Sequence, residues 1–187
     1  MNSVPSTLVV KVGGSLYDLP DLGPRLRRWL ETMETRSILH VPGGGALTNV
    51  VRDMDSRHQL GEETAHWLAL RSLTIAAHFL AALLPGSEII DHPEQPRRDG
   101  IAVLDPYAFA RWDQGRAGAL PHCWDVTSDS IAARAAQVAG ARRLVLLKSV
   151  TIPNGTNWNE AARRGWVDGY FVQVSEGLRV QAVNLRD

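Results

Sequence analysis

At 187 residues the chain is long enough to bury a sizeable core without disulfide or metal staples. Apolar residues make up 44% and charged residues 21%, which excludes wholesale disorder. Lys plus Arg (20) balance Asp plus Glu (20), so net charge marks neither a nucleic-acid nor a membrane partner. Any anion site must be local.

The single cysteine, Cys123, excludes an intrachain disulfide framework and reads as a buried structural thiol in a reducing compartment. The opening MNSVPSTLVV has no basic segment before its apolar run, so no signal peptide is expected. The longest apolar stretch, Ser72–Leu84, is interrupted by His78 and is too short to span a bilayer. A cytoplasmic location is the expectation.

In chain order, Thr7–Val12 is a β-branched run ending in Gly13-Gly14, which predicts a buried strand and a turn. Leu22, Leu26, Trp29, Leu30 and Met33 recur at helical spacing and predict a helix over Asp21–Glu34, with Pro24 near its start. Ser37–Val41 is a second strand, closed by Pro42 and Gly43-Gly44-Gly45; Ala46–Arg57 then reads as a helix. The Glu62–Leu84 helix is apolar nearly all round in its second half and is expected to be mostly interior, with His66 and Trp67 in core packing.

Glu88–Ile90 is a brief third strand, and polar Asp91–Gly100 is a surface loop. Ile101–Leu104 is a strand, and Pro106–Trp112 opens a short helix. A loop precedes a helix over Ser128–Ala139, stopped by Gly140, and Arg143–Lys148 is again a strand. Thr151–Trp158 is turn-rich, Glu160–Arg164 a short helix, and Leu178–Leu185 a last alternating strand. This alternation specifies βαβ units, hence an α/β fold with a mostly parallel sheet covered on both faces. Such a sheet binds ligands at the C-terminal rim of its strands.

The unusual residues fall on that rim. The first strand ends in Lys11-Val12-Gly13-Gly14-Ser15, an ammonium group beside backbone N–H groups that glycine leaves open to an anion. The second ends in Gly43-Gly44-Gly45 ahead of a helix, and a helix N-terminus favours phosphate. The loop Trp124-Asp125-Val126-Thr127-Ser128-Asp129 enters a helix with several N-cap candidates and an acidic first turn, and the next strand ends in Lys148-Ser149. Each part alone has a plain structural explanation, as turn, surface charge or cap. Their coincidence at one edge is what argues for a phosphate site. A P-loop, a G-x-G-x-x-G fingerprint, H-E-x-x-H, Cys-x-x-Cys and G-x-S-x-G are all absent.

The ordered set VVKVGGSL, HVPGGGALTNVVRD, WDVTSDSIAA and a strand ending in lysine resembles the amino-acid kinase superfamily, which includes aspartate, acetylglutamate, carbamate and uridylate kinases. EETAHWLALRSL and WDVTSDSIAARAA look most like the branch containing the aminomethylfuran-methyl phosphate kinase of methanofuran biosynthesis. The resemblance spans most of residues 7–150. It implies a three-layer αβα sandwich over residues 1–187, with an acceptor half (1–122) and a shortened nucleotide half (123–187).

It further implies an ATP-dependent kinase of a small phosphorylated or carboxylated metabolite, with C1-carrier cofactor biosynthesis as the setting. Lys11 and the N–H groups of Gly13, Gly14, Gly44 and Gly45 would hold the transferring phosphoryl group. Lys148 would stabilise the leaving phosphate, Asp129 would organise both lysines, and Mg²⁺ would bridge the ATP phosphates. Ser15, Gly43, Asn49, Asp125 and Ser128 complete the expected binding set, and Trp124 suits either a stacked flat ring or the core.

The pattern departs from the superfamily after Lys148. The V-D-G-[VI]-Y-like adenine turn does not follow the strand directly, and a G-G-M-x-x-K helix start is missing. Trp166-Val167-Asp168-Gly169-Tyr170 is similar to that turn but comes only after a short helix, and is not aligned with it. A binding or assembly subunit without catalysis is therefore the alternative reading. The long apolar helix and six tryptophans suit a homo-oligomer interface and a filled core equally well.

Overall fold

The computed structural model describes residues 7–35, 37–94 and 99–187. The sequence expectations for the opening residues and for the polar 91–100 loop fall partly on residues 1–6 and 95–98, outside the described residues. The strands are β1 (Leu8–Val12), β2 (Ser37–Pro42), β3 (Glu88–Ile90), β4 (Gly100–Leu104), β5 (Arg143–Lys148) and β6 (Arg179–Asn184). They form one sheet in the order β3-β4-β2-β1-β5-β6, and all five pairings are parallel. The helices are α1 (Leu22–Glu31), α2 (Gly45–His58), α3 (Glu62–Leu83), α4 (Pro106–Asp113), α5 (Ser128–Val138), α6 (Trp158–Arg163) and α7 (Phe171–Val174).

The period of two along each strand sorts the core into two layers. Val9, Leu39, Val41, Ala102, Leu104, Leu144 and Leu146 face one cluster with α5 and Phe171. Leu8, Val10, Val12, Ile38, Val103, Val145 and Leu147 face the other, with Leu22 and Leu26 of α1. The αβα sandwich expected from the sequence is what forms. Helix α5 is buried from Asp129 to Ala136, and its alanines let it lie close against β1, β2 and β5.

Several boundaries differ from the sequence reading. Helix α1 stops at Glu31, because Thr32 caps it by donating its amide to the Leu30 and Trp29 carbonyls. Helix α6 begins two residues early, since the Asn157 side chain caps it by accepting from the Asn159 amide. Helix α7 and a single 3₁₀ turn at Gly14–Leu16 were too short for any periodicity to show.

The larger correction concerns α3. Its second half is interior on one side only: Arg71, Ile75, His78, Phe79 and Ala82 form an exposed stripe at helical spacing. Leu47, Val50 and Met54 of the adjoining α2 are exposed as well. The 22-residue α3 is also long and apolar enough to cross a bilayer by length and composition, although its apolar half alone is not. Here it packs on β2, β3 and β4 and between α1, α2 and α4, the position of a core helix.

A buried ion pair fixes how α4 and the following loop meet α5. Arg134 donates from Nε and Nη2 to the Asp113 carboxylate at 2.9 and 2.8 Å, and from Nη2 to the Ala117 carbonyl at 2.9 Å. Arg134 and Asp113 are 9% and 4% exposed, so neither charge can fall back on water. Arg134→Ala should therefore cost about 3–5 kcal/mol of unfolding free energy, the penalty of a stranded buried carboxylate. Urea denaturation measures this; a loss below about 1 kcal/mol would mean that the loop relaxes to hydrate Asp113.

Candidate functional site

The two rim lysines are brought together by register and pleat. Lys11 lies two residues after Val9 and Lys148 two after Leu146, so both leave adjacent strands on the α5 face of the sheet. Over them stands the first turn of α5, whose N-cap Thr127 accepts a hydrogen bond from the Asp129 amide. The Asp129 carboxylate is shared: Oδ1 lies 2.8 Å from Lys11 Nζ and Oδ2 lies 2.7 Å from Lys148 Nζ. Lys148 also donates to the Trp166 carbonyl at 2.7 Å.

All three groups are at least nine-tenths buried. Burial alone would push the Asp129 carboxyl up, but the two lysines more than offset that and hold it below the ordinary carboxylate range. Burial, followed by the Lys11 charge, pulls Lys148 from 10.5 down to about 8, against the pull of Asp129. With Lys148 protonated, two cations share one anion, and the cluster carries one net positive charge at the floor of a cleft of about 1100 Å³.

The two glycine turns meet backbone to backbone beside this floor. A Cβ on Gly14 would lie on the Gly45 amide, one on Gly43 on the Gly14 amide, and one on Gly44 on Thr48 Oγ1. Gly45 also has φ +56°, a left-handed conformation that glycine adopts freely. The N–H of Gly13 is engaged by the Leu147 carbonyl and that of Gly43 by the Val12 carbonyl, both at 2.8 Å, which leaves neither for a phosphate. Among the described residues no backbone carbonyl takes the N–H groups of Gly14, Gly44 or Gly45. Tyr17 closes the turn from behind, its hydroxyl donating to the Gly43 carbonyl at 2.9 Å.

Gly13, Gly14, Ser15, Gly44, Gly45, Asn49, Ser128, Lys11 and Lys148 all line the cleft. Asp125 does not: its side chain is exposed outside the lining, while its neighbours Trp124 and Val126 face in. Cys123 is half-buried rather than buried, packing against the core on one side and lining the cleft on the other. His66 is 6% exposed, stacks on His122 with ring centroids 5.0 Å apart, and reaches the cleft wall. Burial and His122 hold its imidazole below the ordinary value, so it is neutral at neutral pH. Among the described residues no group of three or more His, Cys, Asp or Glu is placed to hold a metal ion.

Sequence reasoning set aside one residue that the fold makes central. The Asp168 carboxylate accepts from the Thr127 amide and hydroxyl, the Ser130 amide and hydroxyl, and the Phe171 amide. It caps α5 and α7 at once, and so pins the turn carrying Asp129 to the segment whose Trp166 carbonyl holds Lys148. The signal was the Val-Asp-Gly sequence after Gly165, a helix start preceded by an acceptor side chain.

No family model matches the chain. It is 25% identical over 146 residues to the [5-(aminomethyl)furan-3-yl]methyl phosphate kinase of Methanocaldococcus jannaschii, covering 76% of this chain and 65% of that one. The chain thus spans just under two thirds of the length of this curated relative. Among solved structures, the uridylate kinase from Archaeoglobus fulgidus superposes with TM-score 0.64 at 11% identity, over 96% of this chain and 90% of that one. The UMP kinase from Ureaplasma parvum gives 0.64 at 11%, over 98% and 92%. The aspartate kinase from Synechocystis gives 0.64 at 12%, over 96% of this chain and 38% of that one. The fold is that of the amino-acid kinases.

Two outcomes check this site. Lys148 loses its charge as pH rises through about 8, while Asp129 stays ionised, so anion affinity falls in that direction. Sulfate, whose own charge is constant there, should bind more weakly above pH 8 by calorimetry, and Lys148→Met should flatten the dependence. A flat wild-type profile would place the titration elsewhere. Asp168→Ala should lower stability by about 3 kcal/mol, as charge-assisted bonds to two helix starts are lost. Thermal unfolding within a degree of wild type would show that the clasp is dispensable.

Proposed function

We propose that the protein transfers the γ-phosphoryl group of ATP to a small phosphorylated or carboxylated acceptor. The observation that carries this reading is the Lys11–Asp129–Lys148 cluster, a buried net positive charge beside open backbone N–H groups. Phosphoryl transfer asks a protein for positioning and charge neutralisation rather than covalent chemistry, and this floor offers both. Lys11 with the amides of Gly14, Gly44 and Gly45 holds the transferring group. Lys148 carries its proton beside the leaving phosphate, and Asp129 fixes the distance between the two ammonium groups.

Residues 1–122 supply the acceptor half and 123–187 the nucleotide half, which Asp168 joins to the floor. The likeness to the furan phosphate kinase supports an acceptor that is itself a phosphate monoester, and with it a place in C1-carrier cofactor synthesis. Among the described residues no side chain of the floor is placed to hold Mg²⁺, since Asp129 is taken by two lysines; the ion would enter only as a companion of the triphosphate. When bound, the ion would neutralise charge on the nucleotide phosphates.

Mg-ATP at about one hundred times its Kd should raise the melting temperature by about 5 °C or more. No shift with Mg-ATP or Mg-ADP at millimolar levels would remove the kinase reading. ADP formation across a panel of small phosphorylated and carboxylated metabolites tests turnover, and Lys148→Met should lower it about a hundredfold. A nucleotide shift without turnover for any acceptor would favour the binding-subunit alternative.

A further inference from the structure

Three of the cations lining the cleft already have carboxylate partners: Lys11 and Lys148 share Asp129, and Arg186 donates from Nη2 to both Asp18 oxygens at 2.6 and 2.8 Å. Arg52 is the exception. It projects from α2 into the cleft lining, is exposed, and makes no hydrogen bond or ion pair with the described residues. What it does have is a platform, for its guanidinium carbon lies 4.2 Å from the centroid of the Trp124 ring.

That platform is itself fixed. One turn further along α2, the Asp55 carboxylate accepts the Trp124 indole N–H at 2.7 Å, which orients the ring and engages one oxygen of that acid. A guanidinium stacked on an aromatic face keeps its N–H donors in its own plane, free for a bidentate partner. Its side-chain freedom is already restricted, so an arriving oxyanion has less ordering to offset. The cleft wall it shares is apolar: Ala69, Leu70, Leu73, Val126 and Ile131.

We propose that Arg52, seated over the Trp124 ring, is a specificity-determining residue that binds an oxyanion carried by the acceptor in addition to the group that receives phosphate. The acceptor class is then a compact, largely apolar body bearing a carboxylate or phosphate away from its reacting end. This rests on the kinase reading for the word acceptor, although the anion site itself does not need it. His66, neutral and in the same wall, adds a hydrogen-bonding group without competing for the charge.

The test titrates the full chain, without nucleotide, with phenyl phosphate, benzoate and benzyl alcohol, read by calorimetry. At least one of the two anions should bind in the millimolar range or tighter, and which of them binds separates the phosphate from the carboxylate source. Arg52→Ala should weaken that binding roughly tenfold or more, Arg52→Lys should restore little because lysine lacks the planar fork, and benzyl alcohol should be indifferent to both. Trp124→Leu, which removes the platform and keeps the charge, should weaken the same anion. Unchanged anion affinity in Arg52→Ala, or no anion binding by the wild-type chain, overturns the proposal. Stabilisation of the wild-type chain by Mg-ATP is measured alongside. Its absence together with Arg52-dependent anion binding would remove the kinase reading and leave the anion site standing.

Discussion

One carboxylate shared between two buried ammonium groups is the constraint on which the rest of this molecule turns. Lys11 and Lys148 both touch Asp129 and hold it ionised, and neither lysine is more than 9% exposed. Such a cluster is costly to bury, and it persists here because strand register, helix entry and a distant carbonyl each supply part of its geometry. β1 and β5 set the two lysines on one face, α5 lowers Asp129 between them, and the Trp166 carbonyl takes a second proton of Lys148. The cluster retains one uncompensated charge, and the cleft above it is the place where an anion relieves it.

Much of this was legible in the sequence. The alternation of short β-branched runs with periodic helices specified the parallel sheet. Strand ends marked by lysine and glycine pointed to the rim. What periodicity could not convey was which face of a helix meets the sheet: the second half of α3 is apolar nearly all round, yet one stripe of it stays outside. Nor could composition separate Trp124 from its neighbour Asp125, since the direction of a loop side chain depends on contacts such as the indole bond to Asp55.

Asp168 was missed for a different reason. Its five hydrogen bonds come from three residues in two turns; the bond from Phe171 is local, but those from Thr127 and Ser130 cross 41 and 38 residues and leave no local pattern. Gly13 and Gly43 show the converse. Their place in a glycine-rich run suggested open amides, but pairing with Leu147 and Val12 closes them; the amides left over belong to Gly14, Gly44 and Gly45. A glycine-rich stretch thus announces close backbone approach before it announces a ligand.

That close approach has a consequence for how the molecule can diversify. Gly14 and Gly45 touch through main-chain atoms, so neither turn can take a side chain, and neither holds a side chain that could shrink to admit one on the other. No pair of compensating substitutions exists there, and the two loops are frozen as a unit. New ligand preferences in relatives built on this scaffold must therefore arise where side chains still face the cleft: along α2, along the inner side of α3, and in the segment that presents Trp124.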